Sequence, residues 1–314
     1  MINIGAFFIK GWTEIMKIIG FFMTICLLLA AIPGAVMNTG GSRDELQTQW
    51  RILSGGVWAH REYEYDIIIL AGQSNMGGCG LGDVPDLFEP TDLMQLMPQK
   101  PNFLGGHTIE KAAENLSHGM REGNIGLIFA REYIRNGLLE PGRKLLLLKA
   151  PAGGTGFIKG DWGPDDPLYL NMLKMIDTAL ALNPANEIKA ILWHQGEGEV
   201  IYGATYEVHT ENFSTFINDT RAYCGNPCLP FIAGDLVEEW RVETAGACEP
   251  VSSAMRDVCN NIGSAAFIET DGLTSNYQAV GEVNGGGPDT IHFSKEALYE
   301  LGIRYFNSYV DIIN

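Results

Sequence analysis

The residues best suited to chemistry lie in four glycine-rich stretches. Ser74 sits in Ala71-Gly72-Gln73-Ser74-Asn75-Met76-Gly77-Gly78. Glycines on both sides permit a sharp turn that exposes a hydroxyl and turns its backbone N–H toward the same space. Asp289 and His292 stand three residues apart in Gly287-Pro288-Asp289-Thr290-Ile291-His292-Phe293. A serine hydroxyl is a poor nucleophile until a base accepts its proton, and the base needs a partner that fixes its tautomer. His292 offers the imidazole, and Asp289 can reach the second ring nitrogen from within the same turn. Acyl transfer also needs donors aimed at the developing oxyanion. Three candidates are the N–H of Ser74, the N–H of Gly154 in Pro151-Ala152-Gly153-Gly154-Thr155, and the side-chain amide of Gln195 in His194-Gln195-Gly196-Glu197-Gly198-Glu199.

Around these stand residues for support or substrate contact: Gln73, Asn75, Glu197 and Trp162. Glu197 reads as a brace for its own loop. Trp162, beside Asp161, either offers an aromatic face to a sugar ring or packs in the interior. His194 reads as a packed residue, while His107 and His118 are placed to line a cleft.

These loops need a scaffold that brings them to one place. Tyr65–Leu70 (YDIIIL), Lys144–Ala150, Ile188–Trp193, Leu229–Ala233 and Ala265–Glu269 are short apolar runs of the kind that form buried parallel strands. Helical periodicity fills the intervals at Ile125–Asn136, Leu168–Leu182, Tyr206–Tyr223 and Pro250–Asn261. A last helix covers Ser294–Ile313, with Ser294 as its N-cap. Such alternation predicts an α/β domain: a mainly parallel sheet with helices on both faces. In that architecture ligands sit beyond the carboxyl ends of the strands, which is where all four stretches fall.

The strings GQSNM, AGGT followed by Trp162, WHQGE and DTIHFS, in that order, resemble the SGNH hydrolase superfamily. More narrowly the chain is similar to the sialate O-acetylesterase and acetylxylan-esterase-like branch, carbohydrate esterase family six. The resemblance runs from about Tyr65 to Tyr309. It implies a three-layer α/β/α sandwich and hydrolysis of acetyl esters on sugars through an acyl-enzyme on Ser74, with no metal or cofactor. By motif position it makes His292 the base, Asp289 its partner, and Gly154 and Gln195 oxyanion donors. One departure is Glu199, which stands where the branch usually carries aspartate. Two other readings stay open: a carbohydrate-binding protein without catalysis, and an esterase for lipids or thioesters.

Bulk properties narrow the partners. The 314-residue chain is 46% hydrophobic and 19% charged, with a formal net charge of −17. That charge repels nucleic acid and anionic membrane surfaces but not a neutral sugar. A sugar bearing a carboxylate would need a cation, and Arg121 and Arg241 are candidates. Ile18–Ala35 is apolar, follows Lys10 and Lys17, and as a helix would reach roughly 27 Å, close to a bilayer core. Residues 1–36 therefore read as a cleaved signal or a membrane anchor, with a buried helix as the third alternative. Residues 37–62 read as a linker and 63–314 as the hydrolase domain, outside the cytoplasm. In an exported protein Cys224, Cys228, Cys248 and Cys259 suggest two disulfides of unknown connectivity, and they lack the paired C-x2-C spacing of a zinc site.

Overall fold

The computed structural model describes residues 57–100, 106–283 and 285–314. The apolar segment 18–35, Cys26 and most of the expected linker lie outside the described residues. The remainder of that linker includes a 3-10 turn, Val57–His60.

The strands are β1 (Tyr65–Gly72), β2 (Met94–Pro98), β3 (Glu110–Lys111), β4 (Leu116–Ser117), β5 (Met120–Arg121), β6 (Lys144–Lys149), β7 (Glu187–His194), β8 (Phe231–Gly234) and β9 (Ala265–Ile268). The helices are α1 (Ser74–Gly77), α2 (Ile125–Arg135), α3 (Pro167–Leu182), α4 (Glu197–Ile201), α5 (Tyr206–Tyr223), α6 (Glu238–Glu243), α7 (Glu249–Asn261), α8 (Asn276–Val280) and α9 (Lys295–Ile313). Seven strands form one sheet in the order β3-β2-β6-β1-β7-β8-β9, and β4 with β5 makes a separate hairpin. Every neighbouring pair in the large sheet is parallel except β2 and β3. The strand β2 was not anticipated: MQLMP carries no β-branched residue and ends in proline.

Strand alternation divides the core into two layers. Ile67, Ile69 and Ala71 of β1 pack with Met172 and Ile176 of α3, Phe213 and Phe216 of α5, and Met255 of α7. Ile68 and Leu70 point the other way, into Ile128 and Phe129 of α2 and Leu298, Leu301 and Tyr305 of α9. Helices on both faces make the three-layer sandwich, with β1 near its centre. At the amino edge the strands are pinned by Arg143, which donates to Asp66 Oδ1 (2.7 Å) and the Tyr65 carbonyl (2.7 Å). The carboxyl edge is left to the loops.

One expectation needs correction here, and one open alternative is decided. The cysteines Cys79, Cys224, Cys228, Cys248 and Cys259 are all free. Cys248 caps the start of α7 and Cys259 lies near its end. Eleven helical residues put about 16 Å between them, well beyond the Cα spacing a disulfide tolerates. Trp162 offers no face to a sugar: it is fully buried, edge-on to Trp193 with ring centroids 5.3 Å apart.

His209 on α5 is also fully buried, stacked on Phe213 with centroids 5.7 Å apart, and neither ring nitrogen has a partner among the described residues. Burial pushes its imidazole down to about 4. The unfolded chain therefore binds a proton below the ordinary histidine value of 6.5 that the folded protein refuses. Stability should be complete above that value and fall as the pH drops toward 4, by at most about 1.4 kcal/mol per pH unit for this one group. Urea midpoints across this range should fall less steeply for His209→Leu than for the wild type; parallel curves would count against the assignment.

Candidate active site

The site begins where β1 meets β7. Gly72 has φ +124°, and a Cβ there would lie 2.2 Å from the carbonyl oxygen of His194, so a side chain is excluded. The next residue, Gln73, donates its N–H to that same carbonyl at 2.9 Å. The chain then turns directly into the single-turn helix α1, whose first residue is Ser74. An N–H at the first helical position has no acceptor within the helix, so the Ser74 amide is left available. The turn is tied to α2 through its N-cap, Asn124, whose side chain accepts from Leu127 N–H and donates to Gly77 O at 3.0 Å.

Against Ser74 the fold sets the segment between α8 and α9. Ser74 Oγ lies 2.8 Å from His292 Nε2, and His292 Nδ1 lies 2.8 Å from Asp289 Oδ1. Asp289 Oδ2 accepts a further bond from Asn276 Nδ2 at 2.9 Å. Asn276 is buried, also donates to Cys79 O (3.0 Å), and accepts from Leu81 N–H (2.7 Å). It thus couples the aspartate to the chain that follows Ser74. No sequence signal marked Asn276, because two of its partners, Cys79 and Leu81, lie 197 and 195 residues away and Asp289 lies 13 residues away across an irregular segment.

Asn75 is the second coupling. Its Nδ2 donates to Glu197 Oε1 (2.6 Å) and to Ile291 O (3.2 Å), while its Oδ1 accepts from Phe293 N–H (3.0 Å). One fully buried amide therefore holds the serine turn, the start of α4 and the residues on both sides of His292. Gln73 is buried too, and accepts from Gly198 N–H at 3.0 Å. Gln73, Asn75 and Glu197 all act by holding loops.

The loop after β6 supplies the third wall. A Cβ at Gly153 would stand 3.9 Å from that of Ser74. Gly154 is exposed with φ +69°, and its N–H has no acceptor among the described residues. The loop is braced from behind. Thr155 Oγ1 donates to Ala152 O (2.7 Å) and accepts from Trp162 Nε1 (3.0 Å), so the tryptophan supports the loop from the core. Glu199 accepts from Phe157 N–H (2.5 Å) and Gln195 Nε2 (3.1 Å), which gives this departure from the expected aspartate a structural role. Gln195 does not occupy the expected place. Its side chain has no exposed surface, and its Nε2 donates to Glu199 and to Thr155 O (3.4 Å). A donor directed into its own loop is not presented to a ligand.

The electrostatics follow from burial and partners. Burial disfavours a charged His292 ring. The bond and charge of Asp289, with Glu197 and Glu122 farther away, outweigh it and raise the pKa above 6.5. Burial would raise Asp289, but bonds from His292 and Asn276 win and hold it below the usual carboxylate value. Burial pushes both Glu197 and Glu199 upward, partly offset by the bonds each accepts. His194 is pushed down to about 3 by burial, and its Nδ1 lies 2.9 Å from the Tyr305 hydroxyl, which donates to Trp193 O. A neutral packed histidine is what that environment requires. A hydroxyl bonded to an imidazole, itself held by an ionised carboxylate, can pass its proton and attack an acyl carbon.

Replacing Asn75 by Asp would set a second carboxylate where the amide now lies 2.6 Å from Glu197. The pair would hold a proton in the folded state, so stability should rise on acidification from about pH 8 to about pH 5. Chemical denaturation of Asn75→Asp and of the wild type across this range checks the clamp: the variant should gain more stability on acidification than the wild type, and parallel curves would contradict it.

Residues 64–311 match the family described as carbohydrate esterase, sialic acid-specific acetylesterase. A probable carbohydrate esterase of Arabidopsis thaliana is 26% identical over 257 residues, covering 78% of this chain and 90% of the relative. A probable 9-O-acetyl-N-acetylneuraminic acid deacetylase of Escherichia coli (strain K12) is 26% identical over 121 residues, covering 31% of this chain and 37% of that protein. The crystal structure of NanS superposes with a TM-score of 0.64 at 17% identity, covering 79% of this chain and 97% of that one, a likeness of fold. The match across nearly the whole described domain places the chain in the sialic acid-specific acetylesterase family of carbohydrate esterases, and it is a carboxylic ester hydrolase.

Proposed function

We propose that this enzyme removes O-acetyl groups from carbohydrate, of sialic acid or xylan type, through an acyl-enzyme on Ser74. The observation that carries this reading is the unbroken line from Ser74 Oγ through His292 to Asp289, 2.8 Å at each step. Ser74 Oγ attacks the acetyl carbonyl while its proton passes to His292 Nε2. Asp289 holds the imidazolium, and the backbone N–H groups of Ser74 and Gly154 receive the oxyanion. His292 then gives the proton to the departing sugar oxygen. Water repeats the sequence on the acetyl-serine, and acetate leaves. With its side chain directed at Glu199, Gln195 contributes by holding the loop that carries Gly154. The family assignment supports the substrate class, and the apolar Ile18–Ala35 segment supports export, as signal or anchor.

Ser74→Ala should stay folded and hydrolyse an aryl acetate about 10³-fold more slowly or worse; retention of most activity would remove Ser74 from its role. The pH profile tests its partners. Attack requires neutral imidazole, so kcat/KM should rise with pH through a midpoint above 6.5, since His292 is raised. Asp289→Asn removes the charge that raises it, so the midpoint should move down while the plateau falls, by up to about 10⁴-fold. An unshifted midpoint would separate Asp289 from His292.

A further inference from the structure

The segment that carries Asp289 and His292 has no helix or strand of its own and is held from outside. On one side it pairs with the chain around the start of α8. Tyr277 N–H donates to Asp289 O (3.0 Å), Asn276 N–H to His292 O (2.8 Å), and Ser294 N–H to Thr274 O (2.9 Å), so residues 289–294 lie along residues 274–277. Asn75 holds the same segment at Ile291 and Phe293. A third support comes from α6, and it reaches both limbs of this pair.

None of the six residues of α6 is buried, although Trp240 packs partly against the core. The helix supplies carboxylates instead. Glu239 and Glu243 are one turn apart and so share a face. Glu239 accepts a hydrogen bond from the Ser275 hydroxyl, and Glu243 accepts one from the Thr290 hydroxyl at 2.5 Å. Both hydroxyls are buried, and both adjoin the site. Ser275 caps α8, which begins with Asn276, the donor to Asp289; Thr290 stands between Asp289 and His292. The helix is in turn tied to the sheet. Arg241, considered as a cation for an anionic sugar, is engaged by Asp271 (2.7 Å) and by Asp235 (2.9 Å), which follows β8 directly and accepts from Ser252 of α7 (2.5 Å).

We propose that Glu239 and Glu243 are positioning residues for the hydrolytic reaction, acting through Ser275 and Thr290 to hold Asp289 and His292 against Ser74. This rests on the reading of His292 as the base and Asp289 as its partner. Neither glutamate touches the reacting atoms. Each fixes a hydroxyl one residue away from a group in the site, and a base that must meet the serine at 2.8 Å tolerates little displacement. Charged acceptors make the stronger hydrogen bonds, and a buried hydroxyl that lost one would draw its segment toward another partner.

The test reads kcat, KM and the pH midpoint of kcat/KM on an aryl acetate. The double variant Glu239→Ala/Glu243→Ala should lose about tenfold in kcat with KM nearly unchanged, and its midpoint should move down as Asp289 loosens from His292. The pair Glu239→Gln/Glu243→Gln keeps an acceptor oxygen at each place and should retain most of kcat, which separates the bond from the charge. Thr290→Val removes one hydroxyl and no charge; it should show the same signature to a smaller degree, whereas Thr290→Ser should not. Adding Thr290→Val to Glu243→Ala should cost nothing further, because both break one bond. Thr290→Val and Thr290→Ser carry the test by themselves if the alanine pair does not fold. An unchanged kcat and midpoint in the folded alanine pair or in Thr290→Val, or a glutamine pair as impaired as the alanine pair, overturns the proposal. Asp289→Asn, measured beside them, separates the two readings. If it is impaired while the alanine pair is not, α6 alone loses its role; if it matches the wild type, the reading of Asp289 fails and the role of α6 with it.

Discussion

The buried side-chain amide of Asn75 is the contact on which the rest of the site's geometry depends. The nucleophile candidate and its base are 218 residues apart in the chain and must meet at 2.8 Å. Neither residue lies on a long rigid element: Ser74 starts a single-turn helix, and His292 lies in an irregular segment. Asn75 closes the gap by using both protons and the oxygen of one amide to bond three loops. A buried amide with fewer partners would cost free energy, so the loops can relax only by breaking several bonds together. Asn276 repeats the device one turn farther out, between Asp289 and the chain around Cys79 and Leu81.

Two buried carboxylates take part in this framework, which is an unusual load for so small a volume. Glu197 receives Asn75 Nδ2 and the N–H of Gly196, and Glu199 receives two backbone amides and Gln195. Each is desolvated, and each is offset by donors that belong to a loop which must stay in place. The acids therefore convert solvation cost into loop rigidity. Glu197 also adds negative potential near His292, which helps Asp289 stabilise the protonated ring. That arrangement suits a step in which the ring gains a proton while the acyl carbon is attacked.

How much of this was legible depended on whether a feature is local. The strands at Tyr65, Lys144, Ile188, Phe231 and Ala265 are short apolar runs, most of them largely buried, so composition alone revealed them. The line Ser74, His292, Asp289 was legible because a serine turn and a histidine–aspartate step are each short patterns with specific chemistry. β2 was not, since MQLMP is held as a strand by its neighbour β6 rather than by propensity. Asn276 and the clamping role of Asn75 were equally invisible, because an asparagine's partners are chosen by tertiary structure. Gln195 and Trp162 show a subtler limit. Their motifs placed both near the site, but only the packing shows Gln195 directed at Glu199 and Trp162 turned into the core. The cysteine cluster misled for a related reason: nearness in sequence says little when one helix separates two of its members.

The central claim is that Ser74 is a nucleophile made reactive by His292. A fluorophosphonate, which forms a stable adduct only with an activated serine, addresses it directly. Peptide mapping after labelling should find one adduct per chain, on the peptide carrying Ser74, and His292→Ala should label far more slowly although the serine is unchanged. An adduct on a different serine of the active enzyme, or equal labelling rates with and without the His292 imidazole, would contradict the account.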